Sequence, residues 1–156
     1  MIIIRAAEAS DQPAITALVR GAGINPMNLR WPNFLVAEAI GPGGRRLVGT
    51  GQLRPHARAG EHILELASLA VLPAFQRQGL GRLLCECLIV RAGSTPLYLM
   101  CMDKHERYYN RLGFVTVDGT QVPRALLPYY RMGRIAARLA TLVLRRPHRL
   151  LVMQKQ

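Results

Sequence analysis

Acidic residues are missing from the last quarter of this chain. Between Gly119 and Gln156 there is no Asp or Glu, while Arg124, Arg131, Arg134, Arg138, Arg145, Arg146, Arg149 and Lys155 all fall there. The whole chain of 156 residues carries a net charge of +12. Such an excess favours partners that are themselves negative: an acidic substrate, a nucleic acid or an anionic surface. Aromatic residues are also few, at 6%, and no aromatic–basic pattern of a base-stacking module emerges from them. Long apolar runs are absent. None approaches the roughly 20 residues that a bilayer span needs. Cys85, Cys87 and Cys101 are too few and wrongly spaced for a disulfide framework or a metal knuckle, so they read as buried, reduced thiols and no metal is expected. The opening Met1-Ile2-Ile3-Ile4-Arg5 places its charge after the apolar residues, unlike a secretory signal, and a cytoplasmic location is expected.

What is present is half apolar and long enough for a single packed domain over 1–156. Ile2–Arg5 reads as a strand. Ser10-Asp11-Gln12-Pro13 reads as a helix start with Ser10 as the cap, leading into Ala14, Ile15, Leu18 and Val19. Asn25 to about Trp31 reads as a second short helical or irregular piece. Phe34–Ala39 and Leu47–Leu53 form a hairpin about Gly41-Pro42-Gly43-Gly44. His62–Leu72 is a longer strand ended by Pro73. Gly79–Val90 is the strongest helix, with Leu80, Leu83, Leu84, Cys87 and Leu88 on one face. Pro96–Met102 is an apolar strand, His105–Leu112 a short helix and Phe114–Val117 a strand. A basic helical insert about 123–145, interrupted at Pro128 and Gly133, precedes a last strand at Leu150–Met153.

The most informative segment runs from Glu65 to Leu84. An apolar strand with one acid ends at a proline, and a turn rich in Gln, Arg and Gly opens a helix. Free N–H groups at a helix start, with glycines leaving room and arginines nearby, form an anion cradle. A phosphate-binding P-loop needs Gly-Lys-Ser/Thr, whereas Gly81 is followed by Arg82-Leu83. A dinucleotide fingerprint needs a third glycine where Leu84 stands.

Gln76-Arg77-Gln78-Gly79-Leu80-Gly81 resembles the Gln/Arg-x-x-Gly-x-Gly/Ala acyl-CoA motif of the GNAT (Gcn5-related) N-acetyltransferases. Leu69-Ala70-Val71-Leu72-Pro73 before it and Tyr109-Asn110-Arg111-Leu112-Gly113-Phe114 after it resemble the same superfamily, as does the order of elements along the whole chain. The resemblance implies an α/β fold of the α+β kind, with a mixed, mostly antiparallel sheet of six to seven strands splayed at its middle and flanked by helices. It implies acetyl-CoA as cosubstrate and direct transfer of its acetyl group to a primary amine. Gln76, Arg77, Gln78, Gly79, Leu80, Gly81 and Arg82 would hold the diphosphate. Leu69, Ala70 and Val71 would meet the pantetheine arm, with an N–H near Val71 polarising the thioester oxygen. Glu65 would be the general base and Tyr109 the general acid to the departing thiolate. The competing role for Glu65 is a strand acid paired with Arg54 or Arg58. An asparagine that many relatives place about seven residues before the tyrosine is absent, the corresponding stretch being Met100-Cys101-Met102-Asp103.

Around the acceptor, the candidate residues are Asn25, Asn28, Arg30, Trp31, His56, Tyr129 and Tyr130. The Glu-Leu-Ala-x-Leu-Ala-Val strand resembles the acetyltransferase domain of bacterial N-acetylglutamate synthase, which implies an amino-acid acceptor such as glutamate. A peptide amine and a homodimer stay open. A different class of function also stays open: Arg131, Arg134 and Arg138 share a helical stripe that would suit a basic, non-catalytic nucleic-acid-binding module, or a helix lying on an anionic membrane.

Overall fold

The computed structural model describes residues 1–156. Seven strands hydrogen-bond in the order β1-β2-β3-β4-β5-β7-β6. They are β1 (Ile2–Ala6), β2 (Phe34–Gly41), β3 (Gly44–Arg58), β4 (Glu61–Val71), β5 (Leu97–Met102), β6 (Phe114–Thr116) and β7 (Leu150–Lys155). The helices are α1 (Gln12–Gly21), α2 (Leu80–Ala92), α3 (Glu106–Asn110) and α4 (Leu127–Leu144). This is the mixed, mostly antiparallel sheet flanked by helices that the sequence implied. The chain divides into two compact units, Met1–Arg54 with Leu66–Gly93, and Pro55–Glu65 with Ser94–Gln156.

In the first unit, β1 pairs antiparallel with β2, and β2 with β3. Ile15 and Val19 of α1 pack on Phe34 and Val36 of β2, with Ala7 completing the buried cluster. The start of α1 differs from expectation. Ser10 lies within a 3-10 turn, and Glu8 precedes that turn as its cap. Asp11 accepts the Glu8 N–H at 2.8 Å. The reason is electrostatic: Arg5 holds the Asp11 carboxylate with two contacts of 2.7 and 3.1 Å and also reaches Glu38, so Asp11 is drawn inward and takes over the capping. No second helix forms after Asn25; a 3-10 turn at Trp31–Asn33 leads directly into β2.

Helix α2 lies close on the sheet because β3 presents glycines to it. A Cβ at Gly49 would meet Leu84 Cδ1 at 3.0 Å, and one at Gly51 would meet Leu88 Cδ1 at 2.8 Å. The buried face of α2 is Leu80, Leu84, Cys85, Leu88 and Ala92. Leu83, assigned inward from its spacing, is 48% exposed, because the contact runs along the i, i+4, i+8 row over those glycines.

In the second unit β7 lies between β5 and β6, antiparallel to both, with Met100 opposite Val152 and Phe114 opposite Lys155. The core here gathers Ile63, Tyr98, Val122, Ala125, Leu126 and Val152. Pro128 and Gly133 do not break α4. Pro128 sits in the first turn, where its missing N–H costs nothing. Gly133 faces Leu150, whose Cδ2 would stand 2.5 Å from a Cβ there, so this glycine is a close-approach residue.

Candidate functional site

The first unit carries the cradle. Strand β4 ends at Val71, and a 3-10 turn at Pro73–Phe75 follows. Arg77 (φ 59°) and Gly79 (φ 81°) are both left-handed. Gly79 is the N-cap of α2, and the helix begins with Leu83 N–H donating to the Gly79 carbonyl at 3.0 Å. The N–H groups of the first turn, Leu80, Gly81 and Arg82, therefore have no carbonyl within the helix. Alternating handedness in such a turn turns successive N–H groups toward one point, which is an anion nest. No atom lies within 4 Å of where a Gly79 Cβ would be, so the space in front of the turn is open.

Two of the predicted site residues have a second task that the sequence did not reveal. The Gln76 side-chain amide donates to the Val71 carbonyl at 2.8 Å, and that of Gln78 donates to the Ala74 carbonyl at 3.0 Å. Both brace the turn against the strand end. Arg82 Nε donates to Glu86 Oε1 at 2.8 Å one helical turn on. Arg77 is exposed at the turn.

Strand β4 is kinked within this unit. Ser68 has φ 55°, a conformation that costs a non-glycine residue on the order of 1–2 kcal/mol. Gln52 pins it, donating to Ser68 Oγ at 2.9 Å. Gln52 is fully buried, and its Oε1 has no hydrogen-bond partner. Ser68 is thus a strained residue beside a buried acceptor left without a partner. Leu69, Ala70 and Val71 follow directly.

The second unit holds the titratable groups. His56 Nε2 and Glu65 Oε2 are 2.7 Å apart, and both side chains are about 95% buried. The turn that brings them together is Ala59-Gly60, both left-handed at φ 52° and 81°, which returns β3 onto β4 in two residues. Tyr129, from the first turn of α4, sets its ring edge-on to His56 with centroids 4.8 Å apart. Pro55, His56, Arg58, Ala125, Pro128 and Tyr129 line a cavity of about 380 Å³. Of the acceptor candidates named from sequence, His56 and Tyr129 thus meet. Tyr130 instead lies against the core and under Arg134, whose guanidinium is 5.6 Å from its ring. Sequence reasoning placed His56 among the acceptor residues without joining it to Glu65. The signal it missed was Ala59-Gly60, which marks a tight hairpin and puts His56 and Glu65 on one face.

Tyr109 sits half-buried on α3, edge-on to Phe114 at 6.1 Å and to Tyr108 at 5.0 Å. Gly113, left-handed at φ 83°, makes the turn from α3 into β6 and so sets the Tyr109–Phe114 contact. The Cys101 thiol is pushed up to about 11, by burial first and then by Glu106 and Asp103. Its thiolate form is disfavoured where it stands.

A family profile described as "Acetyltransferase (GNAT) domain" matches residues 30–116. Among solved structures, the chain is similar over its full length to N-acetylglutamate synthase from Neisseria gonorrhoeae, complexed with coenzyme A and N-acetyl-glutamate, at 24% identity and a TM-score of 0.72. It spans 35% of that synthase. Rv2747 from Mycobacterium tuberculosis, in complex with CoA and NLQ, matches at 23% identity over 98% of both chains with a TM-score of 0.69. Escherichia coli ElaA matches over the whole of both chains at 15% identity and a TM-score of 0.65. No curated protein matches the sequence. The sheet order, with a glycine-capped helix after β4, is that of an acetyltransferase fold. The chain belongs to the GNAT acetyltransferase family.

Proposed function

We propose that this protein transfers the acetyl group of acetyl-CoA directly to a primary amine. The observation that carries the proposal is the buried His56–Glu65 pair beside the cavity that Tyr129 borders. An amine arrives as an ammonium ion and must lose a proton before it can attack. Glu65 accepts that proton, directly or through a water, while His56 fixes the orientation of its carboxylate. The freed nitrogen lone pair attacks the thioester carbon, the C–S bond breaks, Tyr109 gives a proton to the leaving CoA thiolate, and the second proton that the nitrogen sheds on becoming an amide passes to solvent, from which the tyrosine is restored. The products are the acetylated amine and CoA, and both reactants are bound together before transfer.

The donor's diphosphate lies on the first-turn N–H groups of α2, with Arg77 and Arg82 adding charge. The pantetheine arm runs along Leu69–Val71, which directly follows the strained Ser68. Complexes of two structural relatives with CoA support this use of the fold. Arg58 at the cavity and the basic surroundings favour an acceptor that carries a carboxylate, and an amino acid such as glutamate fits that description.

An amine panel that includes glutamate and arginine, incubated with acetyl-CoA and read by free-thiol release, tests the proposal. Turnover with an amino acid, lost in Glu65→Gln, is the expected result. A protein whose melting temperature ignores acetyl-CoA, and which binds polyanions with steep salt dependence instead, would be the basic nucleic-acid-binding module that its charge also allows.

A further inference from the structure

Helix α4 buries little of itself. Gly133, Ala137, Ala140 and Thr141 form its inner face, small residues that let it sit close on β7. Its outer face carries Met132, Ile135, Leu139, Leu142 and Val143, each between 57% and 79% exposed. Their spacing of i, i+3, i+7, i+10 and i+11 is one stripe of a helix. Alongside it runs a second stripe, Arg131, Arg134 and Arg138, all exposed, with Arg145 exposed as the left-handed cap that ends the helix, and the helix has no acidic residue. Its 18 residues extend about 27 Å.

An exposed apolar stripe of this size needs a cover, and its charge selects among covers. A second copy of the chain would bring the same arginines and no acid on the facing helix. A nucleic acid would satisfy the arginines and leave five large apolar side chains in water. A bilayer surface with anionic headgroups meets both demands: acyl chains take the apolar stripe while the arginines reach up to the phosphates. No helix of the protein is long and apolar enough to cross a membrane, so the helix would lie in the surface plane.

We propose that α4 is a docking surface for anionic lipid membranes. The proposal does not depend on the acetyltransferase reading. The test is flotation of the protein with vesicles of phosphatidylcholine alone, and of phosphatidylcholine mixed with phosphatidylglycerol. Association with the mixed vesicles only, weakening as salt rises, is expected. Ile135→Glu/Leu139→Glu places two charges on the exposed stripe and should lower vesicle partitioning at least about tenfold, without moving the melting temperature. Leu142→Trp should show blue-shifted emission when the mixed vesicles are added, and it decides the matter alone if the double variant fails to fold. No flotation at low salt, equal flotation with phosphatidylcholine alone, or an unshifted Trp emission overturns the proposal. So does a wild-type dimer in sedimentation that the double variant turns into a monomer, since a second copy would then be the cover. A double variant that still floats as well as wild type also overturns it, because the arginines alone would then be acting.

Discussion

His56 Nε2 stands 2.7 Å from Glu65 Oε2 in a pair that is almost wholly out of water. At that distance the two side chains share one short hydrogen bond. Removing the carboxylate's charge by Glu65→Gln should lower kcat by about 100-fold or more if Glu65 is the base. KM for acetyl-CoA should stay near its starting value. Steady-state thiol release against pH is the measurement. An unchanged rate would return Glu65 to a structural role.

His56→Phe keeps the bulk of the ring and deletes its N–H. The buried carboxylate then loses a donor, and a loss of roughly 1–3 kcal/mol in stability is expected. His56→Gln, which keeps an N–H, should recover part of both stability and rate. Urea unfolding and kcat measured on the same two variants separate orientation of the base from simple packing.

Tyr109→Phe retains the edge-on contact with Phe114 and removes only the hydroxyl. Thiol release should slow while the melting temperature and its rise with acetyl-CoA stay close to wild type. Equal turnover would take Tyr109 out of the proton path.

At Gly79 the obstacle to a side chain is conformational, since φ is 81° and the surrounding space is open. Gly79→Ala should cost about 1–2 kcal/mol and distort the turn that aims the N–H groups. Gly81→Glu sets a negative charge in the first turn of α2. Both should weaken the thermal shift given by acetyl-CoA, and Gly81→Glu should abolish it. A full shift in either variant would remove the diphosphate from this turn.

Acid sensitivity should trace to Arg5 and Asp11. The Arg5 guanidinium, hydrogen-bonded to the Asp11 carboxylate, holds it below the usual range despite burial, which pulls the other way. A depressed carboxylate contributes stability that is fully present above its unfolded value of about 3.9 and is lost as pH falls through the lower folded value. Chemical denaturation from neutral to acid pH should therefore show a loss below about pH 4 that Asp11→Asn flattens. An unchanged acid limb would place the sensitive group elsewhere.

Much of the turn proposed to meet the donor was legible along the chain because its geometry is local. Gln76 to Arg82 are consecutive, and a helix start needs only its own backbone to offer free N–H groups. Tyr109, Gly113 and Phe114 are likewise tied by a left-handed glycine within one turn. The acceptor side was less legible. His56 and Glu65 are nine residues apart and meet only once Ala59-Gly60 closes the hairpin. Tyr129 comes from a helix more than sixty residues further on. The misassigned Leu83 and Ser10 share one cause: periodicity and capping propensity know nothing of Gly49, Gly51 or Arg5.

The sequence by itself determined the element order, the family and the glycine-rich turn before α2, since these rest on short-range backbone preference and on motifs of consecutive residues. Only the tertiary structure decided which side chain meets Glu65, why Gly133 stands inside a helix, and that the apolar stripe of α4 is left in solvent. Those facts depend on which surfaces of distant segments come together, and packing fixes that where composition and period cannot.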